Sequence, residues 1–170
     1  TLNDLSEARW EMVGHVQSRK AKLVANAFSR IHSLGTLKLA RLLDRHREPG
    51  NGPLDVLMQV NLSGEDSKQG IVATKRETWR DVLAFAQELK AYSNLRLTGL
   101  MTMPPLFDDP EHNRPYFRQL RELRDYLNEQ DPSLHLMELS MGTSYDFEIA
   151  VEEGATIVRL GSILLGERQY

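Results

Sequence analysis

Strand-like and helix-like segments alternate along the chain, and this alternation constrains the fold more than any other feature of the sequence. Apolar runs between turn residues predict six strands, at residues 10–16, 30–33, 54–61, 95–103, 134–139 and 155–160. The run at 54–61 is almost continuously apolar, which is typical of a strand buried on both faces of a parallel sheet. The alternation predicts an α/β fold with helices outside a parallel sheet, either a doubly wound sheet or a (β/α)8 TIM-barrel.

The segments between these strands carry apolar residues at helical spacing. Helices are predicted at about 19–29, 36–47, 77–92 and 109–130, with short helices after residues 143 and 162. Thr36 and Asp109 are expected to cap two of them, and Thr143 with Asp146 resembles a capping box. The longest helix is expected to bury one stripe of side chains, namely Tyr116, Leu120, Leu123 and Leu127.

The composition excludes several classes of function. The 170 residues include no cysteine, which rules out a disulfide scaffold or a thiol nucleophile and suits a reducing compartment such as the cytoplasm. No apolar stretch approaches the roughly 20 residues of a membrane span. The net charge of −3 gives no general attraction for nucleic acid, and the histidines lack metal-binding spacing. Four arginines of the longest helix are expected to form a solvated outer face: Arg114, Arg118, Arg121 and Arg124.

Hydroxyl side chains and glycines follow the last two predicted strands. Ser140, Gly142 and Ser144 follow one strand, and Gly161 with Ser162 follows the other. Each loop precedes a predicted helix, where free backbone N–H groups favour a phosphate dianion. Serine and glycine are also ordinary turn residues, so each loop alone has a purely structural explanation. The occurrence of both loops at the two final strands favours a phosphate site, as found in many (β/α)8 barrels.

Three polar residues end other predicted strands and are expected to face the same mouth of the sheet. Arg159 ends the last strand, where burial without a partner would be costly, so it contacts either a ligand or a carboxylate. His15 and Asn61 end two further strands. The alternatives for them are a hydrogen-bonded core histidine and a turn-opening asparagine.

Five motifs occur in order along nearly the whole chain. They are residues 13–20 (VGHVQSRK), 59–61 (QVN), 99–101 (GLM), 139–142 (LSMG) and 158–162 (VRLGS). Together they resemble the YggS-type pyridoxal-phosphate homeostasis proteins. The resemblance implies a (β/α)8 barrel of the alanine racemase N-terminal type that binds pyridoxal 5′-phosphate (PLP). It also implies a role in cofactor homeostasis without established catalysis.

The resemblance implies specific roles for the strand-end residues. Ser140, Gly142 and Ser144 would form one phosphate loop and Gly161 with Ser162 the other, while Arg159 would face the pyridine nitrogen of PLP. A guanidinium has no proton to give up, so it donates a hydrogen bond to an unprotonated ring nitrogen. A neutral ring withdraws electrons weakly, which fits a carrier better than a catalyst.

The chain departs from the family pattern at its start. The family anchors its cofactor to a lysine on the first strand of the barrel, and the matching motifs begin at what would be the third strand. About six of eight β/α units are therefore expected, as one partial domain over residues 1–170. None of the lysines ends a predicted strand, so no covalent attachment is expected: Lys20, Lys22, Lys38, Lys68, Lys75 and Lys90.

Two rival functions remain open at this point. One is a PLP-dependent amino-acid racemase-like enzyme, which needs a lysine base and a second acid or base across the ring. The other is a truncated interaction module that no longer binds the cofactor, since six strands leave exposed sheet edges. The preferred interpretation is a PLP-binding monomer or weak dimer without a nucleic-acid or membrane partner.

Overall fold

The computed structural model describes residues 8–166, which contain one sheet of seven parallel strands. The strands are β1 (Glu11–Met12), β2 (Arg30–Leu34), β3 (Leu54–Asn61), β4 (Ile71–Val72), β5 (Leu95–Thr102), β6 (Glu138–Thr143) and β7 (Ile157–Arg159). Their order in the sheet is β1-β2-β3-β5-β6-β7, and the short β4 pairs with the end of β3. Strands that follow one another in sequence are thus mostly neighbours in space, as in a barrel.

Helices connect the strands. They are α1 (Ala21–Ala27), α2 (Leu37–His46), α3 (Trp79–Leu89), α4 (Arg114–Gln130), α5 (Phe147–Glu152) and α6 (Ser162–Leu165). Short 3₁₀ turns lie at Ser18–Lys20, Pro49–Asn51, Arg76–Thr78 and Pro110–Asn113. Thr36 caps α2 as expected, because its hydroxyl accepts a hydrogen bond from the Leu39 nitrogen at 3.2 Å. The apolar helix faces pack on the sheet and complete one continuous core.

The sheet is curled into a partial barrel. His32 on β2 lies 2.8 Å from the Ser140 hydroxyl on β6, although β3 and β5 separate these strands in the sheet. Arg30 on β2 likewise reaches Glu138 on β6, at 3.4 Å. Such contacts across a concave face require curvature, which favours the barrel over the doubly wound alternative.

Gly99 explains how closely β5 and β6 approach each other. It pairs with Glu138, and a Cβ added at Gly99 would lie 1.9 Å from the Glu138 carbonyl oxygen. Any other residue would therefore push the two backbones apart. The glycine of the predicted 99–101 motif thus has a packing role in the sheet.

Several predicted element boundaries are wrong. The strand predicted at 134–139 is β6, Glu138–Thr143, because its apolar start lies in the preceding loop while Ser140 and Gly142 belong to the strand. The strand predicted at 10–16 is much shorter in the structure, where β1 consists of two residues, Glu11–Met12. β4 was not predicted, since a pair of residues has no detectable periodicity.

Two helix details also differ from the prediction. The expected capping box at Thr143 forms a different arrangement, in which the Asp146 carboxylate accepts from the Thr143 nitrogen and hydroxyl, at 2.7 and 2.9 Å. The helix therefore begins at Phe147. In α4 the predicted residues Leu120, Leu123 and Leu127 are fully buried, but the buried aromatic residue is Phe117, whereas Tyr116 is half-buried.

Residues 8–166 contain neither a membrane-spanning helix nor a cluster of metal ligands. None of the helices there has the length and apolar character needed to cross a membrane. The same residues contain no group of three or more His, Asp or Glu side chains that could hold a metal ion.

Candidate functional site

The carboxyl ends of the strands form one rim of the sheet, and cavities lie side by side along it. We call the cavity of about 340 Å³ between the loops after β6 and β7 the serine cavity; it is lined by Thr143, Ser144, Tyr145, Arg159, Gly161 and Ser162. The adjoining central cavity, of about 200 Å³, shares Arg159 and Thr143 with it. Arg159 therefore lies between the two cavities.

Ser144 joins the two loops of the serine cavity. Its hydroxyl oxygen accepts a hydrogen bond from the Gly161 nitrogen at 2.8 Å, with a longer contact to the Ile163 nitrogen at 3.4 Å. Because the oxygen is the acceptor, the Ser144 hydroxyl keeps its own proton for another partner. The loops thus form a single unit with an unused donor beside the cavity.

Arg159 is held from two sides. One terminal nitrogen, Nη1, donates to the Ser140 hydroxyl at 2.9 Å, and the other, Nη2, donates to the Thr102 carbonyl at 3.0 Å. Burial lowers the pKa of the Arg159 guanidinium from its ordinary value. The alternative of a direct ion pair to a carboxylate does not occur among the described residues. The remaining N–H groups of Arg159 are available to a ligand at the boundary of the two cavities.

Ser140 lies deeper than the sequence pattern suggests. Its side chain is fully buried, and its oxygen is within hydrogen-bond distance of both His32 and Arg159. It does not line the serine cavity, whereas Ser144 does. The structure thus separates two serines that the sequence pattern places in one phosphate loop, and Ser140 supports Arg159 from below.

Gly142 shapes the loop after Ser140. Its φ of +87° is in the left-handed region that favours glycine, and a Cβ there would lie 2.6 Å from the Ala150 side chain. Gly142 lines the central cavity. The residue therefore lets the chain turn closely over α5 before it reaches Ser144.

His15 and Asn61 lie together on another part of the rim. Both line a cavity of about 310 Å³, and the His15 side chain is exposed there. Asn61 is buried and organises the following loop, since its amide donates to the Glu65 carbonyl and its oxygen accepts from the Gly64 nitrogen. Asn61 therefore has the turn-opening role that the sequence left as an alternative.

Lys68 is the main rim residue that the sequence analysis missed. It lines the central cavity, the 310 Å³ cavity beside His15 and a further cavity of about 420 Å³ that His15 also lines. Its Nζ donates to the Pro104 carbonyl at 3.3 Å. The lysine lies in a polar loop with no strand pattern, so its position along the chain gave no signal. The β3–β4 loop brings this positive charge into the mouth.

The arginines of α4 have a structural role that the sequence analysis did not predict. Arg114, Arg118 and Arg121 all form ion pairs with the buried carboxylate of Glu153, at 3.4, 3.1 and 3.1 Å. Arg124 pairs with its neighbour Asp125. This face of α4 is solvent-exposed as expected, since the side chains of Arg118 and Arg121 are 53% and 35% exposed, and its ion pairs with Glu153 also tie α4 to the end of α5.

Comparison with known proteins places this arrangement in a family. The profile of the family described as alanine racemase, N-terminal domain, matches residues 3–169. A protein from Aquifex aeolicus named pyridoxal phosphate homeostasis protein is 43% identical over 99% of this chain and 71% of its own length. A protein of the same name from Pseudomonas aeruginosa is 42% identical over 95% of this chain and 65% of its own length. The chain thus spans about two thirds of these relatives.

Solved structures agree with this result. PipY from Synechococcus elongatus, solved without PLP, has a TM-score of 0.85 and 34% identity, covering 97% of this chain and 74% of PipY. The PLP-bound form of PipY gives a TM-score of 0.84 at 33% identity, with the same coverage. Alanine racemase from Clostridium difficile has a TM-score of 0.66 at 12% identity, covering 98% of this chain and 42% of the racemase, and shares the fold.

Proposed function

The chain belongs to the alanine racemase N-terminal domain family, and on this basis we propose that it binds PLP and takes part in the homeostasis of this cofactor. Relatives named for PLP homeostasis and the PLP-bound form of PipY support the proposal. The observation in this chain that carries it is the serine cavity, where two loops and an arginine converge.

The chemistry of the serine cavity fits a phosphate group. Hydroxyls of Ser144 and Ser162 and the guanidinium of Arg159 line it, and among residues 8–166 no carboxylate does. A Cβ added at Gly161 would meet nothing within 4 Å, so the backbone beside the cavity is open to a ligand. Hydroxyl and guanidinium groups donate to phosphate oxygens, so the groups that line the cavity suit a dianion.

The roles of the remaining rim residues follow from the same proposal. Gly142, His15 and Asn61 would line the space beside the phosphate, with Ser140 acting through Arg159. PLP supplies an aldehyde that condenses with amines and a pyridine ring that withdraws electrons. Arg159, which can only donate, would hold the ring nitrogen unprotonated and so limit that withdrawal.

A binding measurement tests the proposal. We expect saturable binding of PLP to the purified chain with one site per molecule, measured by titration calorimetry and by the change in PLP absorbance. Pyridoxal, which lacks the phosphate, should bind at least tenfold more weakly because it leaves the serine cavity unfilled. A folded protein that binds neither compound would favour the interaction module instead.

Two further assays separate carrier and enzyme. We propose that the cofactor is held without a covalent bond to this chain, so borohydride reduction of the complex should leave the intact mass unchanged. A stoichiometric pyridoxyl adduct would overturn that statement. Racemisation of amino acids above a buffer control would favour the racemase-like alternative, which shares the fold.

The setting of the protein is part of the same proposal. We propose one domain, acting in the cytoplasm as a monomer or weak dimer, with PLP as its partner and no nucleic acid. The lack of cysteine and the acidic net charge of −3 support this setting. Light scattering of the purified chain measures the oligomeric state.

A further inference from the structure

A row of hydrogen bonds, buried at its centre, runs from β1 to β7 and ends at Arg159, which lines the serine cavity. Glu11 Oε2 lies 2.8 Å from His32 Nε2, and His32 Nδ1 lies 2.8 Å from the Ser140 oxygen. The same oxygen receives the N–H of Arg159 at 2.9 Å. His32 is 1% exposed and Ser140 is 0% exposed, so solvent does not complete these interactions.

The available protons fit only one arrangement when every partner is satisfied. An ionised Glu11 can only accept, so His32 must carry its proton on Nε2 and leave Nδ1 as an acceptor. The Ser140 hydroxyl then donates to Nδ1, because Arg159 can only donate and therefore uses the Ser140 oxygen as an acceptor. Each of these three hydrogen bonds then has one donor and one acceptor. Arg159 donates to Ser140, Ser140 donates to His32, and His32 donates to Glu11.

A second proton on the His32 ring would be incompatible with this arrangement of donors and acceptors. Nδ1 would then donate to the Ser140 oxygen, and the Ser140 proton would lose His32 as its acceptor and have to turn away from it. The charged groups facing His32 are Glu11 on β1, Arg30 on β2 and Arg159 on β7. Burial lowers the pKa of His32 from its ordinary value, which outweighs the opposing hydrogen bond and charge of Glu11.

We propose that His32 is a positioning residue for the cofactor site: its Nδ1 accepts a hydrogen bond from the Ser140 hydroxyl and thereby fixes the orientation of the Arg159 guanidinium. This inference rests on the proposed function, because Arg159 lines the serine cavity. His32 does not line any of the rim cavities described above. Its influence on a ligand must therefore pass through Ser140 and Arg159.

Two substitutions of similar size separate the two nitrogens of the ring. His32→Asn places an amide oxygen near the position of Nδ1 and keeps an acceptor for Ser140, while it gives up the contact with Glu11. His32→Gln keeps a donor toward Glu11 and gives up the acceptor for Ser140. We expect the asparagine variant to bind PLP within about twofold of the parent and the glutamine variant about tenfold more weakly.

Nuclear magnetic resonance of the parent protein without PLP provides the decisive measurement. Long-range ¹⁵N–¹H spectra should show His32 protonated on Nε2 alone near neutral pH. The Arg159 N–H signals should be sharp in the parent and in His32→Asn, and broadened in His32→Gln. These readouts do not involve the cofactor, so they test the positioning role even where PLP fails to bind.

Specific outcomes overturn the inference. His32 protonated on Nδ1, or on both nitrogens, near neutral pH contradicts the proton arrangement in the parent protein itself, without any variant having to fold. Equal weakening of PLP binding in the two folded variants contradicts a role for the Nδ1 acceptor. Unchanged Arg159 signals in the folded His32→Gln protein contradict the link to the guanidinium.

Discussion

The Ser144 hydroxyl oxygen accepts a hydrogen bond from the Gly161 nitrogen across 2.8 Å, and this contact joins loops that follow two different strands. Since β6 and β7 are neighbours in the sheet, their loops leave the rim side by side. The bond sets their spacing and leaves the Ser144 proton free for a ligand. Substitution of Ser144 should therefore affect ligand binding more than stability.

Ser144→Ala should weaken PLP binding about tenfold, because it removes both a donor to the phosphate and the link between the loops. Calorimetric titration of PLP measures the effect. Ser133→Ala provides a matched control, since Ser133 is an exposed serine bonded to Asp131 rather than to the rim. An unchanged affinity in the folded Ser144→Ala protein would place the phosphate elsewhere.

Lys68→Met should weaken PLP binding severalfold at low salt, because Lys68 brings a positive charge to the central cavity. The difference between parent and variant should shrink as salt is added, since mobile ions screen exposed charges. Lys22→Met, on the exposed side of α1, serves as the control for loss of a lysine. A salt-independent effect would instead indicate that the Lys68 contact with Pro104 shapes the cavity.

Gly99→Ala should lower the free energy of unfolding by about 3 kcal/mol, because the added methyl group overlaps the Glu138 backbone. Denaturant unfolding followed by circular dichroism measures it. Gly50→Ala is the matched control, as a Cβ there would meet nothing within 4 Å. Equal stability of the two variants would show that β5 and β6 separate easily.

Glu153→Gln should lower the free energy of unfolding by about 2 kcal/mol near neutral pH, since three guanidinium groups lose their shared carboxylate. Glu129→Gln, an exposed position of α4, is the control. Urea unfolding of the two variants measures the difference. A loss in Glu153→Gln no larger than that in Glu129→Gln would mean that the charge network is energetically neutral.

The contribution of Glu153 should also depend on pH. Hydrogen bonds from Arg118 and then Arg114 hold the pKa of the Glu153 carboxyl below its usual range. Its stabilisation is therefore complete above the unfolded-state pKa and is lost as the pH falls through the lower folded-state value. The parent should lose stability more steeply than Glu153→Gln below about pH 4.5. Parallel acid profiles of the two proteins would contradict this.

The sequence predicted the fold best where local signals were strong. The apolar run at 54–61 matches β3, and Thr36 caps α2 as its position indicated. The start of β6 was misplaced because Leu134 and Leu136 are buried in a loop, so they look like strand residues. Burial by tertiary packing does not reveal whether a short apolar segment is extended or paired.

The site was only partly predictable for a related reason. Arg159, Ser144, Gly161 and Ser162 lie at the rim because strand ends in a parallel sheet converge there. The partnership of His32 with Ser140 spans 108 residues of sequence, so no spacing rule could suggest it. The only signal was a histidine inside a predicted strand, because a polar group there is rarely buried without a partner.

The connection between β6 and β7 has a consequence for how a ligand would be received. Along the chain, α5 and β7 separate the two loops of the serine cavity, and the far end of α5, a helix of six residues, is tied to α4 through Glu153. Because so short a helix has few conformations open to it, we expect the distance between the two loops to be the same before and after a ligand binds. Such preorganisation would keep the entropic cost of binding small, and we expect the charge network on the outer surface to contribute to affinity at the rim.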